Sequence, residues 1–266
     1  MLKFPNAKIN LGLNITAKRA DGYHNIESCF YPIPLKDALE IIPSKKLSFE
    51  TTGLAIPGNS DDNLVLKAYE LLKADFELPP VDIILHKNIP MGAGMGGGSA
   101  DGAFMLTLLN EYFELNISIE KLESYALKLG SDCPFFIENK PKLVSGRGEL
   151  FENTSLDLFG HHLALVYPDI HISTAEAYSG VKPQMPEISV EEIIEHHPIV
   201  EWKGKLKNDF EEGIFKKYPE LQKIKNKFYD AGAIYASMTG SGSTMFGIFD
   251  KSIELSCIRA NQIFKF

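Results

Sequence analysis

The sequence predicts an α+β protein in two parts, and three stretches carry that prediction. From Ala7 onward apolar and polar residues alternate. At 81–85 a β-branched run leads into PMGAGMGGGSADGAF at 90–104, in which six of fifteen residues are glycine, and then into a strong helix. Near residue 155 the character changes, and a second glycine-rich turn, MTGSGSTMFGIF at 238–249, follows an amphipathic segment at 221–232. The division expected is 1–155 and 156–266.

The bulk numbers allow such a protein. The 266 residues are 44% hydrophobic, enough for one large core or two of about 130 residues each. The formal net charge is −8, from 27 basic and 35 acidic side chains. An acidic surface does not steer a protein to nucleic acid or to an anionic membrane. Any phosphate must therefore be held by local donors. Cys29, Cys133 and Cys257 are scattered, which argues for a reducing compartment and against a disulfide framework or a zinc site. No apolar run approaches membrane-spanning length, and MLKFPNAKINLGL does not read as a signal peptide. The expectation is a cytoplasmic protein with small-molecule partners, monomeric or homodimeric, without nucleic-acid or membrane partners.

The elements follow in order. Ile9, Leu11, Leu13 and Ile15 share one face, and Lys8, Asn10, Gly12 and Asn14 the other, so period 2 predicts a strand with one buried face. Asp21-Gly22 marks a turn before a strand at 26–31. Short strands are expected at 39–42 and 47–51. Asp61-Asp62-Asn63 caps a helix on which Leu64, Lys67, Ala68, Leu71 and Leu72 follow helical spacing. Helices are predicted over 100–113 and 119–129, the second closed by Gly130. Strands at 142–144 and 150–151 flank SGRGE. Beyond 155 come a strand at 162–167, a short helix from Ser173, helical candidates at 190–197 and 210–217, and the helix at 221–232.

The glycine loop admits three readings. Gly92-x-Gly94-x-x-Gly97 matches a dinucleotide fingerprint, but no acidic strand end follows at the required distance. A P-loop fails because no Gly-Lys-Ser/Thr follows the glycines. The third is a different phosphate cradle: a strand, a loop of small residues, and a helix opening at Ser99, whose free amides and dipole would hold an anion. Glycines allow close approach, and Ser99 at the N-cap would add a hydroxyl for phosphate or Mg²⁺. The plain alternative is a flexible strand–helix linker. The pairs His161-His162 and His196-His197 lack a metal-binding frame and read as surface or structural residues.

Residues 90–101 resemble the central motif of the GHMP kinases. Pro5-Asn6-Ala7-Lys8-Ile9-Asn10-Leu11 is similar to that family's N-terminal motif, and Thr239-Gly240-Ser241-Gly242-Ser243 to its C-terminal glycine motif. The resemblance implies an S5 domain 2-like N-terminal part, a ferredoxin-like C-terminal part and an active site in the interdomain cleft. Three further stretches, Arg19–Ile26, Leu129–Phe136 and Asn208–Glu211, narrow it to members that act on a cytidine-diphosphate-linked methylerythritol. The activity implied is ATP-dependent phosphorylation of its 2-hydroxyl, on the non-mevalonate route to isoprenoid precursors.

Phosphoryl transfer is mostly positioning and charge stabilisation. On this resemblance Asp132, on a turn between Gly130 and Pro134, is the candidate base. Lys8 is its partner, keeping the carboxylate ionised and stabilising developing charge. ATP is expected on Pro90, Met91, Gly92, Ala93, Gly94, Met95, Gly96, Gly97, Gly98 and Ser99, with Asn63, Leu64 and Lys67 bordering the adenine. The substrate side is expected to use Asn10, Tyr23, His24, Tyr178, Thr239, Gly240 and Ser241, with Tyr23, His24 and Tyr178 at the cytosine. Mg²⁺ is expected with ATP, and Ser99 is the metal ligand named. Two rivals stay open: another small-alcohol kinase of the same family, and a silent nucleotide-binding regulator.

Overall fold

Why the alternating N-terminal run makes so long a strand is plain from its composition: nothing from Asn6 to Lys18 breaks an extended chain. The computed structural model describes residues 1–250 and 261–266, and Cys257 lies outside the described residues. It runs β1 (Leu2–Lys3), β2 (Asn6–Lys18), β3 (His24–Lys36), β4 (Ala38–Pro43), β5 (Ser48–Gly53), α1 (Leu64–Lys73), β6 (Val81–Lys87), α2 (Gly97–Tyr112), α3 (Ile119–Leu129), α4 (Phe135–Glu138), β7 (Lys142–Ser145) and β8 (Leu150–Asn153). There follow β9 (His162–Val166), α5 (Thr174–Ser179), α6 (Val190–His196), α7 (Phe210–Lys217), α8 (Pro219–Asp230), β10 (Tyr235–Met238), β11 (Met245–Phe249) and β12 (Gln262–Lys265).

The chain forms two compact units. The first comprises Met1–Lys8, Pro32–Met91 and Gly96–Lys140, and the second Ile9–Tyr31, Gly92–Met95 and Pro141–Phe266. This division interleaves along the chain, whereas the cut at 155 expected from sequence follows it. The difference arises because β2 and β3 are each long enough to begin in one unit and end in the other.

In the first unit the sheet order is β1-β4-β6-β5. β4 pairs antiparallel with β6, from Ala38↔His86 to Pro43↔Val81, and β5 pairs parallel with β6. Val81, Ile83 and Leu85 of β6 are buried, in period 2, as a half-covered strand requires. α2 packs against α1, α3 and α4. Its buried residues include Ala100, Ala103, Leu106 and Leu109, and Gly102 brings it close to α1: a Cβ at 102 would stand 2.9 Å from Leu64 Cβ. Tyr125 of α3 donates its hydroxyl to Asp75.

The second unit contains the sheet β10-β11-β9-β12, in which β11 pairs antiparallel with β10 and β9. α8 lies on it, with Gly247 leaving room for Phe228. A further sheet has the order β2-β3-β7-β8.

Two sequence expectations need correction. β2 is not a strand with one wet face: Lys8, Asn10 and Asn14 are buried, as Ile9 and Leu11 on the apolar face are. Its polar face is covered by partners, as the hydrogen bonds of Asn10 to Ser28 and Thr239 show. Nor does α2 open at Ser99. Gly96, at φ 70°, is the N-cap and the helix begins at Gly97, because glycine alone takes the left-handed turn without a Cβ penalty. Ser99 is the third helical residue.

Gly102→Val should overpack the α1–α2 contact and lower unfolding free energy by about 1–3 kcal/mol, measured by denaturant titration.

Candidate active site

In the first unit, Lys8 of β2 and the start of α2 meet. A Cβ at Gly96 would lie 3.3 Å from both Cγ and Cε of Lys8, so the lysine stem passes directly beneath the helix N-cap. The Lys8 ammonium, whose side chain is 4% exposed, lies 3.4 Å from Asp132 Oδ2. Burial pulls the Lys8 pKa below the free value of 10.5, and the facing Asp132 charge works against that shift.

Asp132 sits on a turn fixed at both ends. Gly130 caps α3, Cys133 N–H donates to Gly130 O, and Pro134 precedes α4. The carboxylate is 35% exposed, open enough to meet a ligand. Next to it the Cys133 thiol is pushed up to about 12 by burial, although a hydrogen bond with Ser99 acts in the opposite direction. Ser99 is thereby placed beside the Asp132 turn.

The first intrahelical bond of α2 runs from Ala100 N–H to Gly96 O. The amides of Gly97, Gly98 and Ser99 precede it, in the position where a helix N-terminus offers donors and positive potential to an anion. Met91 lies 3.6 Å from a Cβ position at Gly98. The expected residues Lys8, Asp132, Met91, Gly96, Gly97, Gly98 and Ser99 thus fall together.

Asn63 caps α1 through Val65 N–H and lines a cavity of about 140 Å³ with Phe49, Thr51, Ile56, Gly58, Asn59 and Ser60. Leu64 packs on α2 at Gly102. Lys67 points to solvent and pairs with Asp62 at 3.1 Å. Pro90 is half-buried.

In the second unit, Gly92–Met95 and the second glycine turn are tied together. The buried Thr239 hydroxyl accepts from Asn10 N–H at 3.0 Å and faces two acceptors, Gly94 O at 3.1 Å and Asn10 Oδ1 at 3.2 Å. A Cβ at Gly94 would collide with the Thr239 carbonyl, and Thr244 N–H donates to Ala93 O. Met95 is buried and Gly92 borders His171. Gly240 takes a φ of 55° and its carbonyl accepts from Asn208. Ser241 is half-exposed.

His24 and Tyr178 are stacked, with ring centroids 4.8 Å apart and planes at 24°, and Phe210 meets Tyr178 edge-on. Tyr23 is 58% exposed. The Arg147 guanidinium lies over its ring at 4.7 Å, a contact that sequence reading did not find. Asn208 was also overlooked as a site residue; it donates to Met238 O and Gly240 O. A third omission is the buried group Asp37, Lys87 and Asp101, although Lys87 continues the inward phase of Val81, Ile83 and Leu85. Among the described residues, no three His, Cys, Asp or Glu side chains gather as a metal site.

The chain as a whole has relatives among known proteins. Residues 63–140 match the model of the GHMP kinases N-terminal domain, and residues 191–261 that of the C-terminal domain. The chain belongs to the GHMP kinase family. This kinase is 54% identical over 260 residues to a Bacteroides fragilis protein named 4-diphosphocytidyl-2-C-methyl-D-erythritol kinase, covering 96% of this chain and 94% of the relative. A Parabacteroides distasonis protein of the same name is 52% identical over 251 residues, covering 94% and 92%. A solved 4-(cytidine 5′-diphospho)-2C-methyl-D-erythritol kinase superposes with a TM-score of 0.79 at 30% identity, covering 93% of this kinase and 89% of that chain. A mevalonate kinase superposes at 0.71 with 13% identity, covering 99% and 98%, and shares the fold alone.

Thr239→Val should strand Asn10 N–H and Gly94 O and cost about 1–3 kcal/mol of stability, whereas Thr239→Ser should retain most of it; denaturant midpoints distinguish the two.

Proposed function

We propose that this kinase transfers the γ-phosphoryl group of ATP to the 2-hydroxyl of 4-diphosphocytidyl-2-C-methyl-D-erythritol. One observation carries the chemistry: the Lys8 stem underlies Gly96 while its ammonium faces Asp132, so a base, a cation and helix-start amides share one locality. The near-full-length identity to relatives of that name supports the substrate.

The roles follow from the chemistry. Amides at 97–99 bind phosphate oxygens, and their dipole favours the negative charge. Asp132 accepts the proton of the acceptor hydroxyl as its oxygen bonds to the γ-phosphorus and ADP leaves. Lys8 neutralises charge on the transferring group. Pro90, Met91 and the glycine run form the rest of the phosphate seat. The cavity at Asn63 suits the adenine, being lined by apolar Phe49 and Ile56 with polar Asn59 and Ser60. Leu64 and Lys67 border it from α1. Mg²⁺ would neutralise phosphate charge; it keeps several waters and needs few protein oxygens, so Ser99 Oγ fits as its one proposed ligand.

The cytosine end belongs to Tyr23, His24 and Tyr178. The stacked His24–Tyr178 pair and the partly exposed Tyr23 ring, with Arg147 on one of its faces, suit a flat heterocycle, which homoserine and mevalonate lack. Asn10, Gly240 and Ser241 complete the proposed substrate side, and Thr239 shapes it through Asn10 and Gly94. The family matches fall within 1–155 and 156–266, which we propose as the two domains. No helix among the described residues is long and apolar enough to cross a membrane. We extend the proposal to a cytoplasmic enzyme, monomeric or homodimeric.

Asp132→Asn should lower kcat by about 10²–10⁴ while leaving the ATP KM within about threefold. Unchanged turnover would remove Asp132 from the mechanism. Phosphorylation of homoserine or mevalonate in preference to the cytidylylated alcohol would overturn the substrate.

The Lys8 shift also sets a pH dependence. Activity that needs the ammonium falls as pH rises through its folded pKa, which is lowered, so the alkaline limb of kcat/KM should lie below the free-lysine 10.5. Lys8→Arg should move that limb to higher pH, because guanidinium stays charged.

A further inference from the structure

Beneath the glycine loop lies a charged group to which the chemistry above assigns no task. The Lys87 side chain is wholly buried, at 0% exposure, and its ammonium bridges two carboxylates, Asp37 and Asp101, the latter at 2.7 Å. Burying three ionisable groups is expensive unless geometry compensates. Asp37 is fully engaged: Oδ2 accepts from Lys87, and Oδ1 accepts the backbone amides of Asn88 at 2.6 Å and Ile89 at 2.8 Å. Asp101 is not. Its Oδ2 meets Lys87, while its buried Oδ1 has no hydrogen-bond partner.

These atoms sit at both ends of one loop. Asn88 and Ile89 are the last residues before Pro90, and Asp101 is on the second turn of α2. Gly97, the first residue of α2, is pressed against the same group: a Cβ there would lie 2.8 Å from Ile89 Cγ2 and 3.4 Å from Lys87 Nζ.

We propose that Asp37 and Lys87 are positioning residues for nucleotide binding, fixing the end of β6 and the start of α2 so that the 97–99 amides converge on the phosphates. Asp101 is the dispensable third member. Asp101 is the member whose second oxygen lacks a donor. Burial pushes the Asp101 carboxyl up to about 8, Lys87 opposing and Asp37 reinforcing the shift. Asn at 101 keeps an oxygen acceptor for Lys87 in a side chain of nearly the same shape that, like the protonated carboxyl, carries no charge. Asn at 37 instead sets an NH₂ group or a lost amide acceptor against Lys87 or Asn88 and Ile89.

The inference rests on reading residues 96–99 as the ATP seat, and its test separates the two. Lys87→Met, Asp37→Asn and Asp101→Asn are compared by melting temperature, by steady-state kinetics against both substrates, and by calorimetric titration with a non-hydrolysable ATP analogue. Lys87→Met and Asp37→Asn should raise the ATP KM and the analogue Kd by about tenfold or more, with the KM for the alcohol substrate unchanged. Asp101→Asn should stay within about threefold on every parameter. Folded Asp37→Asn with wild-type ATP affinity overturns the proposal. So does an equal loss in Asp101→Asn, or a loss of soluble protein in Asp37→Asn while Asp101→Asn folds, which would mark a purely structural group. Failure of the wild type to phosphorylate the cytidylylated alcohol would sink the substrate assignment alone, because the analogue titration would still decide this point.

Discussion

A buried ammonium directly under a helix N-terminus is the constraint on which the site depends. Both carry positive potential, and placing Lys8 beneath Gly96 sets like against like. Within the first unit, Asp132 at 3.4 Å is the ion-pair partner that offsets the arrangement, and it is itself partly open to water. The locality is thus electropositive inside a protein of net charge −8. A polyphosphate entering there would satisfy the amides and the lysine together. The fold provides this by making β2 a strand without a wet face, so that the stem cannot swing out to solvent.

The second unit shows a different use of motif residues. Thr239, Asn208 and Asp209 stand in stretches that resemble family signatures, yet their atoms are committed to the backbone. Asn208 holds Met238 O and Gly240 O, Asp209 accepts from Ile15 N–H at 2.7 Å, and Thr239 ties Asn10 to Gly94. Such residues act by fixing the shape of glycine-rich turns that would otherwise have large conformational freedom.

What could be read from sequence was whatever depends on local pattern. The alternation from Ala7, the spacing of α1 and the whole of α3 with its glycine cap all follow from period and capping chemistry. What escaped reading depends on distant partners. Nothing near Asn10 announces that Ser28 and Thr239 will bond to it, so the alternation predicts one buried face where the structure has two. The start of α2 was placed late because a glycine N-cap leaves no side-chain signal. Lys87 stood in the inward phase of β6, but a charge at that phase looks like a strand end until Asp37 and Asp101 are seen around it. Arg147 lies in a turn far along the chain from Tyr23, and only the fold brings them together. Lys8, Asp132 and the loop are assigned to one site by resemblance to the family motifs, since spacing alone leaves other readings open.

The neighbour of Asp132 has one more effect. Cys133 is one residue from Asp132, and a cysteine reacts through its thiolate. Burial pushes its pKa up to about 12 and so keeps it as the neutral SH form. The turn that carries Asp132 thus holds a chemically quiet sulfur beside a carboxylate that is partly open to water.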